Sequence, residues 1–208
     1  MNLQLHKIPT NYYQSTKSYL QTYTTAFLIT LLMIFSISTD HASAEVNICH
    51  NPPKNLSNFS PQIPPRKALN YPFFDVNDSK RTIADYKGLG IVLNFWATWC
   101  PPCIREMPDL IHLKEYVKKD NITILALSVD RGGPTKIMRF LEKKGIKGLD
   151  ILIDKKSKLA QKSGVQGLPV TILIDSRGLE RGRITGIAPW DEPDVIDFVR
   201  RCISPIKN

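Results

Sequence analysis

Hydrophobic and polar positions along this chain follow two regimes. One long apolar run lies near the start, at residues 26–37. From Asn70 onward, short apolar runs alternate with stretches of helical period. Residues 91–96 and 123–129 are apolar enough for strands buried on both faces. Residues 73–76 and 82–83 read as short strands flanking the turn Asn77-Asp78-Ser79. Residues 101–119 read as a helix that admits proline in its first turn, with Pro108 expected to kink its middle. Residues 135–144 place Ile137, Phe140 and Leu141 on one face, and Gly145 ends that run. A short apolar segment at 151–153 precedes a short helix capped by Ser157 and ended by Gly164. Residues 170–174 and 181–185 make a hairpin across Asp175-Ser176-Arg177-Gly178. Asp191 is placed to cap a last helix whose Val195, Ile196, Phe198, Val199 and Cys202 face inward. This order predicts an α/β fold, a mixed central sheet flanked by helices on both faces.

The first 44 residues obey another grammar. Lys7 and Lys17 precede the apolar run, and Ala42-Ser43-Ala44 follows it. A basic start, a short apolar core and a small-residue site predict a signal peptide; a run stretched over residues 22–39 would instead be an uncleaved membrane anchor. Residues 45–66 carry Pro52, Pro53, Pro61, Pro64 and Pro65 and read as an extended leader or linker. Residues 67–208 are then the folded domain. The net charge of +9 lies almost wholly beyond residue 44. Lys143, Lys144, Lys147, Lys155, Lys156, Lys158 and Lys162 make a solvated face or a weak attractor of anionic lipid or an acidic partner. No nucleic-acid-binding motif accompanies them.

All four cysteines, Cys49, Cys100, Cys103 and Cys202, lie beyond the expected signal, where an oxidising compartment favours bridges. Trp99-Cys100-Pro101-Pro102-Cys103 follows a strand and opens a helix. Two thiols at this spacing can close a disulfide, and the first sulfur sits where a helix start favours a thiolate. Cys100 is expected to be the exposed attacking thiol and Cys103 the more buried resolving thiol. Pro101 and Pro102 remove backbone donors from the thiolate, which predicts a reducing centre. An inert bridge and a zinc site are the other readings, but no second Cys or His pair stands at ligand spacing, so no metal is expected. Glu106 shares a helix face with Cys103. It is either a partly buried proton acceptor with a raised pKa or an ordinary first-turn acid. Cys202 is either a small buried hydrophobe or the partner of Cys49. His50 and His112 are placed as neither bases nor ligands.

Residues 95–103 (Phe-Trp-Ala-Thr-Trp-Cys-Pro-Pro-Cys), Glu106-Met107-Pro108 and residues 164–169 (Gly-Val-Gln-Gly-Leu-Pro) resemble the thioredoxin superfamily. Within it the chain is similar to the membrane-associated, periplasmic TlpA/ResA/CcmG branch, nearest to TlpA. The resemblance runs from Tyr71 to Phe198. It implies a thioredoxin fold with an N-terminal strand extension and a βα insertion around residues 131–164. It implies thiol:disulfide exchange with proteins outside the cytoplasm, and no cofactor beyond the Cys100–Cys103 disulfide. Pro169 would be a cis-proline facing Cys100, Leu168 would offer its backbone to an extended substrate, and Trp99 would be a flat contact surface. Glu106 would handle protons, the more so because Asn94 stands where cytoplasmic thioredoxins carry a buried Asp. Some members tie the leader to the last helix, here by a Cys49–Cys202 bridge. Val170 stands where CcmG-type members carry an acid, which favours TlpA.

Implied partners are protein disulfide substrates and a membrane electron donor of the DsbD/CcdA kind, with the protein itself a monomer, secreted or anchored in the periplasm. Implied clients are apocytochrome c or copper-site cysteines in cytochrome oxidase assembly. A copper-binding assembly chaperone would need a Cys-x-x-x-Cys spacing with a nearby His. A thiol peroxidase would need a Pro-x-x-x-Thr-x-x-Cys setting, which the residues around Thr98 lack.

Overall fold

The apolar run Gly90–Trp96 is buried at every position, so it needs a neighbour on each edge and a layer on each face. The computed structural model, which describes residues 49–204, supplies both. Its elements in chain order are β1 (Phe59–Lys67), β2 (Phe73–Asp75), β3 (Lys80–Arg81), β4 (Gly90–Trp96), α1 (Pro101–Val117), β5 (Ile122–Ser128), α2 (Gly133–Lys144), β6 (Asp150–Ile153), α3 (Lys158–Lys162), β7 (Val170–Ile174), β8 (Leu179–Thr185) and α4 (Pro193–Ile203). The strands form one mixed sheet in the order β1-β8-β7-β4-β5-β6-β2-β3. β4 lies parallel to β5 and antiparallel to β7. The described residues belong to the second of two units, Met1–Glu45 and Val46–Asn208. The signal or anchor expected over residues 1–44 lies outside them. Among the described residues no helix is long and apolar enough to cross a membrane.

Period-two alternation along the strands sorts the core into faces. Val92 packs with Leu110, Leu113 and Val117 of α1 and with Val195, Phe198 and Val199 of α4. On the same face Trp96 and Ala126 pack with Cys103 and Met107 of α1 and with Ile137 and Leu141 of α2. Ile91, Leu93 and Phe95 point the other way, toward Leu159 and Ala160 of α3. Gly145 ends α2 at φ +69°, a left-handed position that glycine takes at least cost.

Several local expectations change. Thr82 and Ile83 are not a strand. The pairing stops at Arg81, and Thr82 starts a 3-10 turn over Ile83–Tyr86, its N–H donating to the Asp85 carboxylate at 2.7 Å. α1 runs unbroken through Pro108, which lies on its exposed side. Ser157 does not cap α3. The Asp154 carboxylate accepts the N–H groups of Leu159 (3.0 Å) and Ala160 (2.7 Å) instead. Asp191 does not cap α4 either: Pro193 opens that helix with Glu192 at the cap position and no side-chain cap bond.

Residues 59–67 of the expected leader form β1, paired antiparallel with β8 at one end of the sheet. Its prolines are tolerable because, among the described residues, no strand bonds its outer edge. The Phe59 ring lies over Gly182 of β8, where any Cβ would collide. It also meets Phe198 of α4 edge-on, centroids 4.9 Å apart. Cys49, just before β1, is bridged to Cys202 of α4 with Cα atoms 4.7 Å apart, and both residues are buried in the cluster that holds Phe59 and Phe198.

That bridge joins positions 153 residues apart, so it removes much loop entropy from the unfolded chain. Replacing both Cys49 and Cys202 by Ser is expected to lower unfolding free energy by about 2–5 kcal/mol. Denaturant unfolding under non-reducing conditions measures this; an unchanged midpoint would show that apolar packing alone holds the leader.

Candidate active site

β4 ends at the carboxyl edge of the sheet, and the chain turns there into α1. The turn is held from β5. Val129 N–H donates to Trp96 O at 2.9 Å. The buried Asp130 carboxylate accepts from Thr98 N–H (2.8 Å), Thr98 Oγ1 (2.7 Å) and Ser128 Oγ (2.8 Å). Asp130 was not singled out in the sequence. Its only cue is an acid directly after a buried strand, a common loop residue.

Cys100 is the N-cap of α1, with φ −104° and ψ 95°. Pro101 and Pro102 fill the first two helical positions and carry no N–H, so the first donor available is Cys103. Its N–H reaches Cys100 Sγ at 3.3 Å. A sulfur in that place is held by the partial positive charge of the helix start. Cys100 and Cys103 are joined as a disulfide, with Cα atoms 5.3 Å apart.

The expectation of an exposed Cys100 is corrected here. In the closed bridge Cys100 is only 4% exposed and Cys103 1%. The cause is the capping geometry, which turns the Cys100 side chain back over the first turn of the helix. Trp99 stands outward at 66% exposure. Trp96, by contrast, is wholly in the core. Leu168 packs against the cluster containing both cysteines, and the Leu168–Pro169 peptide is cis. Pro169 O accepts Gly186 N–H at 2.9 Å.

Glu106 lies one turn beyond Cys103 on the buried side of α1 and is 3% exposed. Asn94 Nδ2 donates to its Oε1 and Trp190 Nε1 to its Oε2, each at 3.0 Å. Burial pushes its pKa up to about 7, against the hydrogen bonds from Trp190, Asn94 and the Ala188 backbone; the nearby Asp109 adds a little to the rise. Asn94 also donates to Thr171 Oγ1 at 3.0 Å, its direct opposite on β7. Trp190 and Thr171 gave no sequence signal. A tryptophan in a loop before the last helix does not announce that its indole returns to α1.

His112 lies on α1 and His50 near Cys49, away from any ligand set. Among the described residues no group of three His, Cys, Asp or Glu side chains is placed to hold a metal ion. Lys143, Lys144, Lys147, Lys155, Lys156, Lys158 and Lys162 are all exposed.

The arrangement is a helix-start disulfide beside a buried, protonatable carboxylate, and comparison with known proteins bears on it. ResA, a thiol-disulfide oxidoreductase of Geobacillus thermodenitrificans, is 39% identical over 113 residues, covering 54% of this chain and 63% of that protein. This chain thus spans less than two thirds of that relative's length. The ResA of Bacillus anthracis is 36% identical over 121 residues, 58% of this chain and 69% of that one. A thioredoxin-family thiol:disulfide interchange protein from Chlorobium tepidum, solved as a crystal structure, superposes with a TM-score of 0.54 at 22% identity. It covers 65% of this chain and 97% of its own. The architecture is thus the thioredoxin-like fold that residues 95–103 suggested. The Redoxin family model matches residues 63–197, and the chain belongs to the Redoxin family.

Proposed function

We propose that this protein is an extracytoplasmic thiol:disulfide oxidoreductase that reduces disulfides in client proteins. The observation that carries the reading is the Cys100–Cys103 bridge at the start of α1, with Cys103 N–H directed at Cys100 Sγ. The relatives named ResA support the same chemistry. The helix start lowers the energy of a Cys100 thiolate, and thiolates are the species that open disulfides.

The cycle starts with the closed bridge. A membrane electron donor of the DsbD/CcdA kind supplies two electrons and opens it to two thiols, protons coming from solvent. Opening frees Cys100 Sγ to swing outward beside Trp99, Leu168 and Pro169, where an extended client segment docks. The Cys100 thiolate attacks one sulfur of the client disulfide. A Cys100–client S–S bond forms, and the other client sulfur leaves as a thiolate. Cys103 then passes its proton to the Glu106 carboxylate and attacks Cys100 Sγ. The internal bridge closes, and the second client sulfur leaves. The client gains two electrons, and the protein returns to the disulfide form. Only an acceptor with a pKa near the working pH can take and release that proton readily, and Glu106 sits at about 7.

Apocytochrome c or copper-site cysteines of cytochrome oxidase are the clients proposed from the resemblance, met in the periplasm by a monomer that is secreted or held by residues 1–44.

Cys103→Ala is expected to accumulate a mixed disulfide between Cys100 and its client, seen as a reducible higher-mass species on non-reducing gels. Cys100→Ala is expected to give none and to abolish disulfide reduction. A Cys103→Ala protein that traps nothing in cells would defeat the exchange reading. For Glu106, the rate of bridge closure should rise with pH and level off above about 7, because only the ionised carboxylate accepts a proton. Glu106→Gln should remove that inflection and slow closure about 10²-fold at neutral pH, as read by stopped-flow tryptophan fluorescence.

A further inference from the structure

Glu106 has two oxygens with unlike partners. Oε2 accepts from the indole N–H of Trp190, and Oε1 from the amide of Asn94. An indole can only donate, whereas an amide can donate or accept. Trp190 is fully buried between β8 and α4, in the cluster that contains Phe198, Cys49 and Cys202. Asn94 is 1% exposed, and its Oδ1 is buried with no hydrogen-bond partner. A buried acceptor left alone in a core normally costs stability and calls for an explanation.

We propose that Trp190 and Asn94 are positioning residues that divide the carboxyl group of Glu106: the indole holds Oε2 as a permanent acceptor, so the proton from Cys103 settles on Oε1, where the Asn94 amide turns over and receives it through Oδ1. The proposal rests on the reading of Glu106 as proton acceptor. A proton on Oε2 would set an O–H against the Trp190 N–H, two donors facing each other in the core. On Oε1 the same conflict is relieved by rotation of the amide. Thr171 Oγ1, which now accepts from Asn94 Nδ2, can then donate to Oδ1 instead. In this step the Cys103 S–H bond breaks and an O–H bond forms on Glu106. No electron changes hands until the sulfur attacks.

The groups around Glu106 are consistent with this division. Cys103 and Asp109 share its helix, Asn94 comes from β4, Thr171 from β7, and Ala188 and Trp190 from the segment before α4. Asp109 is the charge that acts on it, and Asp191 and His112 act on Asp109 in turn. Loss of the Trp190 donor would remove a hydrogen bond that favours the ionised form while leaving the neutral form its acceptor at Oε1.

The test uses the full chain labelled with 15N. Its three tryptophans, Trp96, Trp99 and Trp190, give separate indole signals. The signal that disappears in Trp190→Phe should move with pH through a midpoint near 7, and should cease to move there in Glu106→Gln. In kinetics, Trp190→Phe should raise the pH midpoint of bridge closure by about one unit and recover the wild-type plateau at higher pH, which a merely structural defect would not do. A Trp190 indole signal blind to pH across this range, or an unchanged midpoint in folded Trp190→Phe, overturns the proposal. If Trp190→Phe does not fold, the signal is assigned by elimination with Trp96→Phe and Trp99→Phe, and the titration decides. Failure to trap a client at Cys100 together with a titrating indole would remove the exchange reading while the division of the two oxygens stands.

Discussion

A carboxylate is held inside a core that has no room for an unmet charge. β4 is buried along its whole length, and its one polar side chain, Asn94, must find partners within the protein. It finds Glu106 and Thr171, and Glu106 in turn takes the indole of Trp190. β4, α1, β7 and the segment before α4 are thereby tied through one polar knot, set between the apolar clusters of the sheet. Such a knot is tolerable only while nearly every member is bonded. Glu106, its ionisable member, lies one turn from Cys103 on the same helix.

The knot has a cost that depends on pH. Glu106 has its pKa raised from 4.5 to about 7, so the folded protein binds this proton more tightly than the unfolded chain does. Its favourable contribution is fully present below the unfolded value, and it is lost as pH rises through the folded one. Above neutrality the fold therefore carries a buried charge that other interactions must offset. The large apolar clusters on both faces of the sheet and the Cys49–Cys202 bridge do this.

The sequence made the architecture legible because the central strands β4, β5 and β7 are almost wholly apolar, and because Trp99-Cys100-Pro101-Pro102-Cys103 marks a strand-to-helix turn. Glu106 was legible as a candidate by its spacing from Cys103. Less local facts were hidden. The Pro-rich leader gives no sign that residues 59–67 complete the sheet, since prolines argue against strands and only the unpaired outer edge excuses them. The cap of α3 comes from Asp154, several residues upstream of Ser157, through a backbone excursion that puts Lys156 and Ser157 at positive φ. Trp190 joins Glu106 across 84 positions, a distance over which residue patterns carry no information. The burial of Cys100 runs against its sequence position: a helix start suggests exposure, whereas a side chain acting as the cap folds inward.

The two disulfides are almost equally buried, Cys49 at 5% and Cys202 at 3% against Cys100 at 4% and Cys103 at 1%, so shelter from solvent does not tell them apart. Helix polarity does. Cys100 precedes α1, whereas Cys202 lies in the final turn of α4, where the backbone carbonyls present negative charge. The arginines of that turn are already engaged, Arg200 by Asp120 at 2.7 Å and Arg201 against the Phe198 ring. A sulfur is expelled more readily when its surroundings welcome the anion it becomes. Opposite helix ends thus surround one bridge with a field that favours a thiolate and the other with a field that opposes it.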